Sequence, residues 1–197
     1  MKKYFTFSSW LTLLQKLGRE NQKILSPRTL QRASGLGSQA ISKAIQRLVR
    51  RGDLIKLYKG AYANKYSPPS LEEVAMFYGK PCYISFESAL EDRGIISQAP
   101  QVLTCAATRK LKKLKTPLGE IVFHRIHPRL FSSFENDKGI LRATAEKAFL
   151  DYLYINLKNE KQIPALDEFD MGQLDNKKTK KLAKIFPQSV RRRLLLV

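Results

Sequence analysis

The sequence predicts an α+β protein in two parts, residues 1–66 and residues 70–197. Three observations predict it. Helical periodicity gives way to a strand pattern within the first sixty-five residues, and strand and helix patterns intermix beyond residue 70. Ser67-Pro68-Pro69-Ser70 interrupts any helix or central strand between the two parts and stiffens the connection. Charge changes at the same place. Residues 1–65 hold 14 Lys and Arg against Glu20 and Asp53, a net +12 of the +19 carried by all 197 residues. A surplus localised in this way is expected of a face that meets a polyanion.

Trp10, Leu11, Leu13, Leu14 and Leu17 crowd one helix that should end at Gly18. Ser26-Pro27 reads as an N-cap followed by proline at the first helical position, where its missing N–H costs nothing. That short helix runs to about Ser34 and stops at Gly35-Leu36-Gly37. Glycine there supplies the positive φ of a tight turn, and Leu36 is placed to plug the space between two helices. Ser38 opens the next helix, where Ile41, Ala44, Ile45, Leu48 and Val49 form one apolar stripe. Gly52 ends it. Leu54–Tyr58 and Ala61–Asn64 then flank Lys59-Gly60 as a hairpin.

Helix, short helix, glycine turn, polar-faced helix and basic hairpin is the order of a winged helix-turn-helix. A three-helix bundle with a solvated charged face shares much of this pattern, but the near absence of acidic residues over 65 positions and the following hairpin favour the DNA-binding reading. Gln39, Ser42, Lys43 and Gln46 are expected to face base edges from the second helix of the motif. Arg28, Arg47, Arg50, Lys56 and Lys59 are expected to grip phosphates, the last two from the hairpin.

In the second part, Ser70-Leu71-Glu72-Glu73 is a capping box that opens a helix to about Tyr78. Lys80–Ile84 reads as extended, Ser85 as the cap of a helix to Arg93, and Val102–Ala106 as a strand. A hairpin is expected around Thr116-Pro117-Leu118-Gly119, between Leu111–Lys115 and Glu120–His127. A helix is predicted over Arg142–Leu157 with Ala145, Ala148, Phe149, Tyr152 and Leu153 buried. Helix resumes after Pro164, and Pro187 separates two final short helices.

Arg50-Arg51-Gly52-Asp53-Leu54 leading into Tyr58-Lys59-Gly60-Ala61-Tyr62 resembles the wing of AbiEi-type antitoxins, transcriptional regulators of abortive-infection (type IV) toxin–antitoxin systems. Tyr83-Ile84-Ser85-Phe86-Glu87-Ser88-Ala89-Leu90 with Gly94-Ile95 and Pro100, Thr116–Gly119 with Phe123-His124-Arg125, and Ala145-Glu146-Lys147-Ala148-Phe149-Leu150-Asp151 extend the likeness over residues 10–155. Lys147 stands where arginine is commoner in that family. The resemblance implies a repressor that binds inverted repeats in double-stranded operator DNA and autoregulates its own operon. It also implies that residues 70–197 counteract a co-transcribed nucleotidyltransferase-like toxin, without need of a stable complex.

Other chemistries find little support. His124-x-x-His127 with Cys82 and Cys105 lacks paired metal-ligand spacing, so no metal and no cofactor are expected. Glu87, Glu91 and Asp92 sit on one helix without a nucleophile–base–orienter set, and a magnesium nuclease would need clustered acids where only Glu120 is strand-borne, so no enzyme is expected. The run Arg109-Lys110, Lys112-Lys113, Lys115 is better explained as an edge strand guarded by lysine than as a further DNA or RNA contact. Lys177–Lys184 and Arg191–Arg193 pose the same choice on helices. Sparse cysteines and no stretch near the ~20 apolar residues of a membrane span point to the cytoplasm. Two other readings keep the basic surface: a regulator whose second part only senses a ligand or dimerises, and an RNA-binding module.

Overall fold

The structure, a computed structural model, describes residues 5–159 and 168–194. It is a mixed α+β protein, with eight α-helices and nine strands in two sheets among the described residues. The chain divides into two compact units, residues 1–74 with 115–119, and residues 75–114 with 120–197.

In the first unit, α1 (Phe7–Arg19) starts at Thr6, whose hydroxyl accepts from Ser9 N at 3.2 Å. A two-residue strand, β1 (Ile24–Leu25), precedes α2 (Pro27–Ser34). Ser26 Oγ caps α2 by accepting from Thr29 N at 3.0 Å, and Gly35 ends it in the left-handed region at φ 73°. The helix α3 (Ser38–Arg50) begins and ends where its periodicity predicts. A hairpin of β2 (Leu54–Tyr58) and β3 (Ala61–Asn64) turns at Lys59-Gly60, with Gly60 at φ 85°. β1 adds to the outer side of β3, giving the order β1-β3-β2. Two residues carry no readable periodicity, which is why β1 is missing from the sequence reading.

Trp10, Leu14, Leu30, Ile41 and Leu48 pack as one core, with Leu36 half-buried against it. Burying side chains of this size contributes about 1.5–3 kcal/mol each. Asn64, fully buried at the end of β3, donates to Leu14 O at 2.9 Å and accepts from Tyr66 N at 3.1 Å. It thereby ties the hairpin to the first helix. The capping box forms as expected: Glu73 Oε2 accepts from Ser70 N at 2.8 Å, and Ser70 Oγ accepts from Glu73 N at 3.1 Å, at the start of α4 (Leu71–Gly79).

The second unit is built on β4 (Cys82–Ile84), β5 (Leu103–Ala107), β7 (Gly119–Arg125), β8 (Phe134–Asp137) and β9 (Ile140–Ala143); with β6 (Leu114–Thr116), most of which is counted in the first unit, the strand order is β6-β7-β5-β4-β9-β8. β5 runs parallel to β7 and antiparallel to β4, and Thr104 through Ala107 are all buried, as suits a central strand. Helix α5 (Phe86–Asp92) packs on α6 (Ala145–Lys158), and α6 on α7 (Asn176–Ala183) and α8 (Gln188–Leu194).

Two expectations are corrected here. The helix predicted from Arg142 begins at Ala145, because Thr144 caps it by accepting from Lys147 N at 3.3 Å. Arg142 belongs instead to the β8–β9 hairpin, which turns at Lys138-Gly139. Ser85 occupies the N-cap of α5 but its hydroxyl is drawn elsewhere, and Thr104 Oγ1 accepts from Ser88 N at 3.1 Å in its stead. The helix resuming after Pro164 falls partly on residues outside those described; α7 and α8 flank Pro187 as predicted.

Candidate nucleic-acid interface

The apolar stripe of α3 buries Ile41, Ala44, Ile45 and Leu48, which forces the opposite face outward. On that face Gln39, Ser42, Lys43, Gln46 and Arg50 fall within about a third of a turn, with Arg47 on its flank. Arg28 is exposed on the first turn of α2, Lys56 on β2 and Lys59 at the hairpin turn. All nine side chains singled out from the sequence are exposed.

Their charges are also unspent. Glu20 pairs with Lys16 at 3.9 Å. Asp53 is buried and lies 3.6 Å from Lys65 and 4.0 Å from Arg51. Arg51 further lies over the Phe7 ring at 4.0 Å. Among the described residues no carboxylate pairs with Arg28, Lys43, Arg47, Arg50, Lys56 or Lys59. The two acids of this unit's first 65 residues thus neutralise cations away from the outward face of α3.

A groove of about 590 Å³ runs between α2, α3 and the hairpin. It brings Ser42, Gln46, Arg50 and Lys56 together, whereas Gln39, Lys43 and Arg47 flank it on α3, and Arg28 and Lys59 do not line it. Gln31, Ser38 and Tyr62 line it too and were missed by sequence reasoning. Tyr62 had a findable signal: it pairs directly across from Lys56 in the hairpin register, so the two share a face.

The other basic clusters differ. Arg109 donates to Tyr78 O at 3.1 Å and Lys80 O at 3.4 Å, and Lys113 forms an ion pair with Glu120. Only Leu114–Thr116 of that run is strand, so most of it is irregular chain rather than a guarded edge. Lys177, Lys178, Lys180 and Lys181 on α7 and Lys184 at its C-cap are exposed, as are Arg191 and Arg192 on α8.

A second polar constellation, unforeseen as a unit, lies inside the second unit. Lys147 and Asp151, one turn apart on α6, form an ion pair with no exposed surface. Tyr83 Oη donates to Asp151 Oδ2 at 2.7 Å and accepts from Lys147 Nζ at 2.6 Å, and Ser85 Oγ donates to the same carboxylate oxygen at 2.9 Å. Burial lowers the Lys147 ammonium and raises the Asp151 carboxyl from their ordinary values, opposed by each other's charge and, at Asp151, by the two hydroxyls. The Phe186 ring stands 5.2 Å from Lys147 Nζ. A reacting centre needs access to substrate, and all four members are buried, so the cluster acts as an internal staple between β4 and α6. Its signal in the sequence was the Lys-x-x-x-Asp spacing set among Ala148, Phe149, Leu150, Tyr152 and Leu153.

Cys82 and Cys105 are free, buried thiols. Burial pushes the Cys82 thiol up to about 12, and Arg109 pulls weakly the other way. Among the described residues no three His, Cys, Asp or Glu side chains are grouped to hold a metal ion, and no helix is long and apolar enough to cross a membrane.

No family model matches the sequence, and no curated protein does. A solved structure, the RV2827C protein from Mycobacterium tuberculosis, is similar to it with a TM-score of 0.60 at 14% identity. The match covers 97% of this chain and 76% of that one. At such identity the likeness speaks to the fold.

Proposed function

We propose that residues 1–66 are a winged helix-turn-helix, with α3 as its recognition helix and the β2–β3 hairpin as its wing, and that the protein is a DNA-binding transcriptional repressor. One observation carries the reading. All nine side chains selected for DNA are exposed and, among the described residues, none of the six cations is paired with a carboxylate; α3 and the hairpin share one groove. Lys, Arg and Gln along such a helix suit the donor and acceptor code of the major groove. Lys56 and Lys59 hold the flanking phosphates from the wing. Two copies bind an inverted repeat, with half-sites one helical turn, about 34–36 Å, or a multiple of it apart.

The resemblance to AbiEi-type antitoxins supplies the second half of the proposal. The repressor autoregulates a toxin–antitoxin operon in the cytoplasm, and residues 70–197 counteract its nucleotidyltransferase-like toxin.

The test is footprinting on the duplex upstream of the protein's own gene, with tRNA as competitor. Two protected half-sites on one face of the duplex, resistant to excess tRNA, are expected. Protection abolished by equimolar tRNA would replace the repressor with an RNA-binding module.

A further inference from the structure

We propose that the groove between α7 and α8 binds a free amphiphilic anion, a molecule with an apolar body and an oxyanion head. The proposal stands apart from the DNA reading, since every residue that lines the groove lies between 171 and 194. Met171, Leu174, Ala183 and Leu194 supply apolar walls, and Lys180, Arg191 and Arg192 line the same space. Leu174 and Ala183 are buried, so the floor is part of the packed structure rather than loose side chains.

Charge defines what fits. Residues 171–194 contain eight Lys and Arg and a single acid, Asp175. That carboxylate is already used: it accepts from Lys177 N at 2.9 Å and Lys178 N at 3.0 Å as the cap of α7, and lies 3.9 Å from Lys178 Nζ. No carboxylate pairs with Lys180, Arg191 or Arg192 among the described residues. Three like charges around an apolar floor repel one another, and an oxyanion relieves that repulsion while accepting the two-pronged hydrogen bonds of arginine. The turn between the two helices is anchored by Phe186, which is buried with its ring 5.2 Å from Lys147 Nζ.

Size separates the possible occupants. The groove measures about 730 Å³, within the range of about 300–1,000 Å³ of small-molecule sites. A stable protein partner needs an interface above about 1,000 Å². With 8 and 7 residues, α7 and α8 are only about 12 and 10 Å long and offer too small a platform. A nucleic acid would satisfy the cations, but among the described residues no aromatic side chain lines the groove to stack a base.

The experiment is calorimetric titration of the full-length protein with dodecanoate below its micellar concentration. Dodecanol, inorganic phosphate and dodecyltrimethylammonium are controls. One saturable site is expected, weakened about tenfold or more by Arg191→Glu/Arg192→Glu and by Met171→Asp, and not reproduced by the controls. The arginines are exposed, so their reversal leaves the fold intact by circular dichroism. Equal binding by the double variant, or by dodecanol, overturns the proposal. So does displacement of dodecanoate by an oligoribonucleotide, or arginine-dependent binding to phosphatidylglycerol vesicles with no binding of free dodecanoate. A tenfold gain in affinity on truncation after Leu194 would mean that the chain's own end occupies the groove, and would overturn it too.

Discussion

Replacing Lys147 by methionine tests the reading of the buried quartet. The substitution keeps the length of the side chain and removes the ammonium that faces Asp151 and Tyr83. Asp151 then keeps two neutral donors, Tyr83 Oη and Ser85 Oγ, at a site without solvent. Leaving a buried charge uncompensated costs about 3–5 kcal/mol. With a urea m-value of about 2–3 kcal/mol per M, the midpoint falls by about 1–2.5 M. The loss should also acquire a pH dependence. Burial already raises Asp151, and without its partner the folded carboxyl titrates far above its unfolded value. The folded state then binds the extra proton, so stability is fully present below the unfolded pKa and is lost as pH rises through the folded one. The slope is about 1.4 kcal/mol per pH unit, and a 3–5 kcal/mol loss spans roughly two to four units above pH 4. Urea unfolding followed by far-UV circular dichroism at pH 4.5 and pH 8 gives the answer. A loss below about 1 kcal/mol, or one equal at both pH values, would refute the staple.

Four further outcomes follow from other residues. Gln39→Ala should cost operator binding about 1–3 kcal/mol and relax specificity at one position. Lys59→Ala should weaken all duplexes alike and lower the salt slope by about one unit; anisotropy titrations over several salt concentrations separate the two, and unchanged affinity, specificity and slope in both variants refute the docking. At Gly79 an added Cβ meets Cys82 Sγ at 2.7 Å and crowds the Phe123 ring, so Gly79→Ala should destabilise by about 1–3 kcal/mol in urea unfolding. Cys82 should resist thiol reagents at pH 8 until the protein is unfolded. Because its folded pKa, about 12, exceeds the ordinary 9.0, the stability that it contributes is lost as pH rises between those values, and Cys82→Ala should flatten that part of the wild-type pH profile.

Local signals carried most of what was legible. Ser26-Pro27, Gly35, Gly60 and the Ser70–Glu73 box each fix backbone geometry within four residues, and each reading agrees with the observed element. The outward face of α3 was legible because its apolar stripe alone decides which residues face away. What failed depends on partners distant in the chain. Arg142 stands directly before an apolar helical pattern, yet it pairs with Ile84 across the sheet, and its guanidinium meets Asp92. Ser85 has the chemistry of a cap, but Asp151, 66 residues on, claims its hydroxyl. Gln31 joins α3 only once the groove has closed around it, so no periodicity within one element marks it.

The same staple sets an order of events on the ribosome. Lys147 and Asp151 leave the exit tunnel almost together, but Tyr83 has preceded Asp151 by 68 residues. At about 5–20 residues per second, β4 waits about 3–14 seconds for the helix that will close over it. Its antiparallel neighbour β5 arrives sooner, since Ile84 pairs with Cys105. A β4–β5 pair therefore precedes the docking of α6, and the carboxylate and ammonium meet in water before either is buried. Nascent chains stalled ahead of residue 145 would hold Tyr83 and Ser85 with no carboxylate to receive them, a stage at which this unit is most exposed to chaperones and proteases.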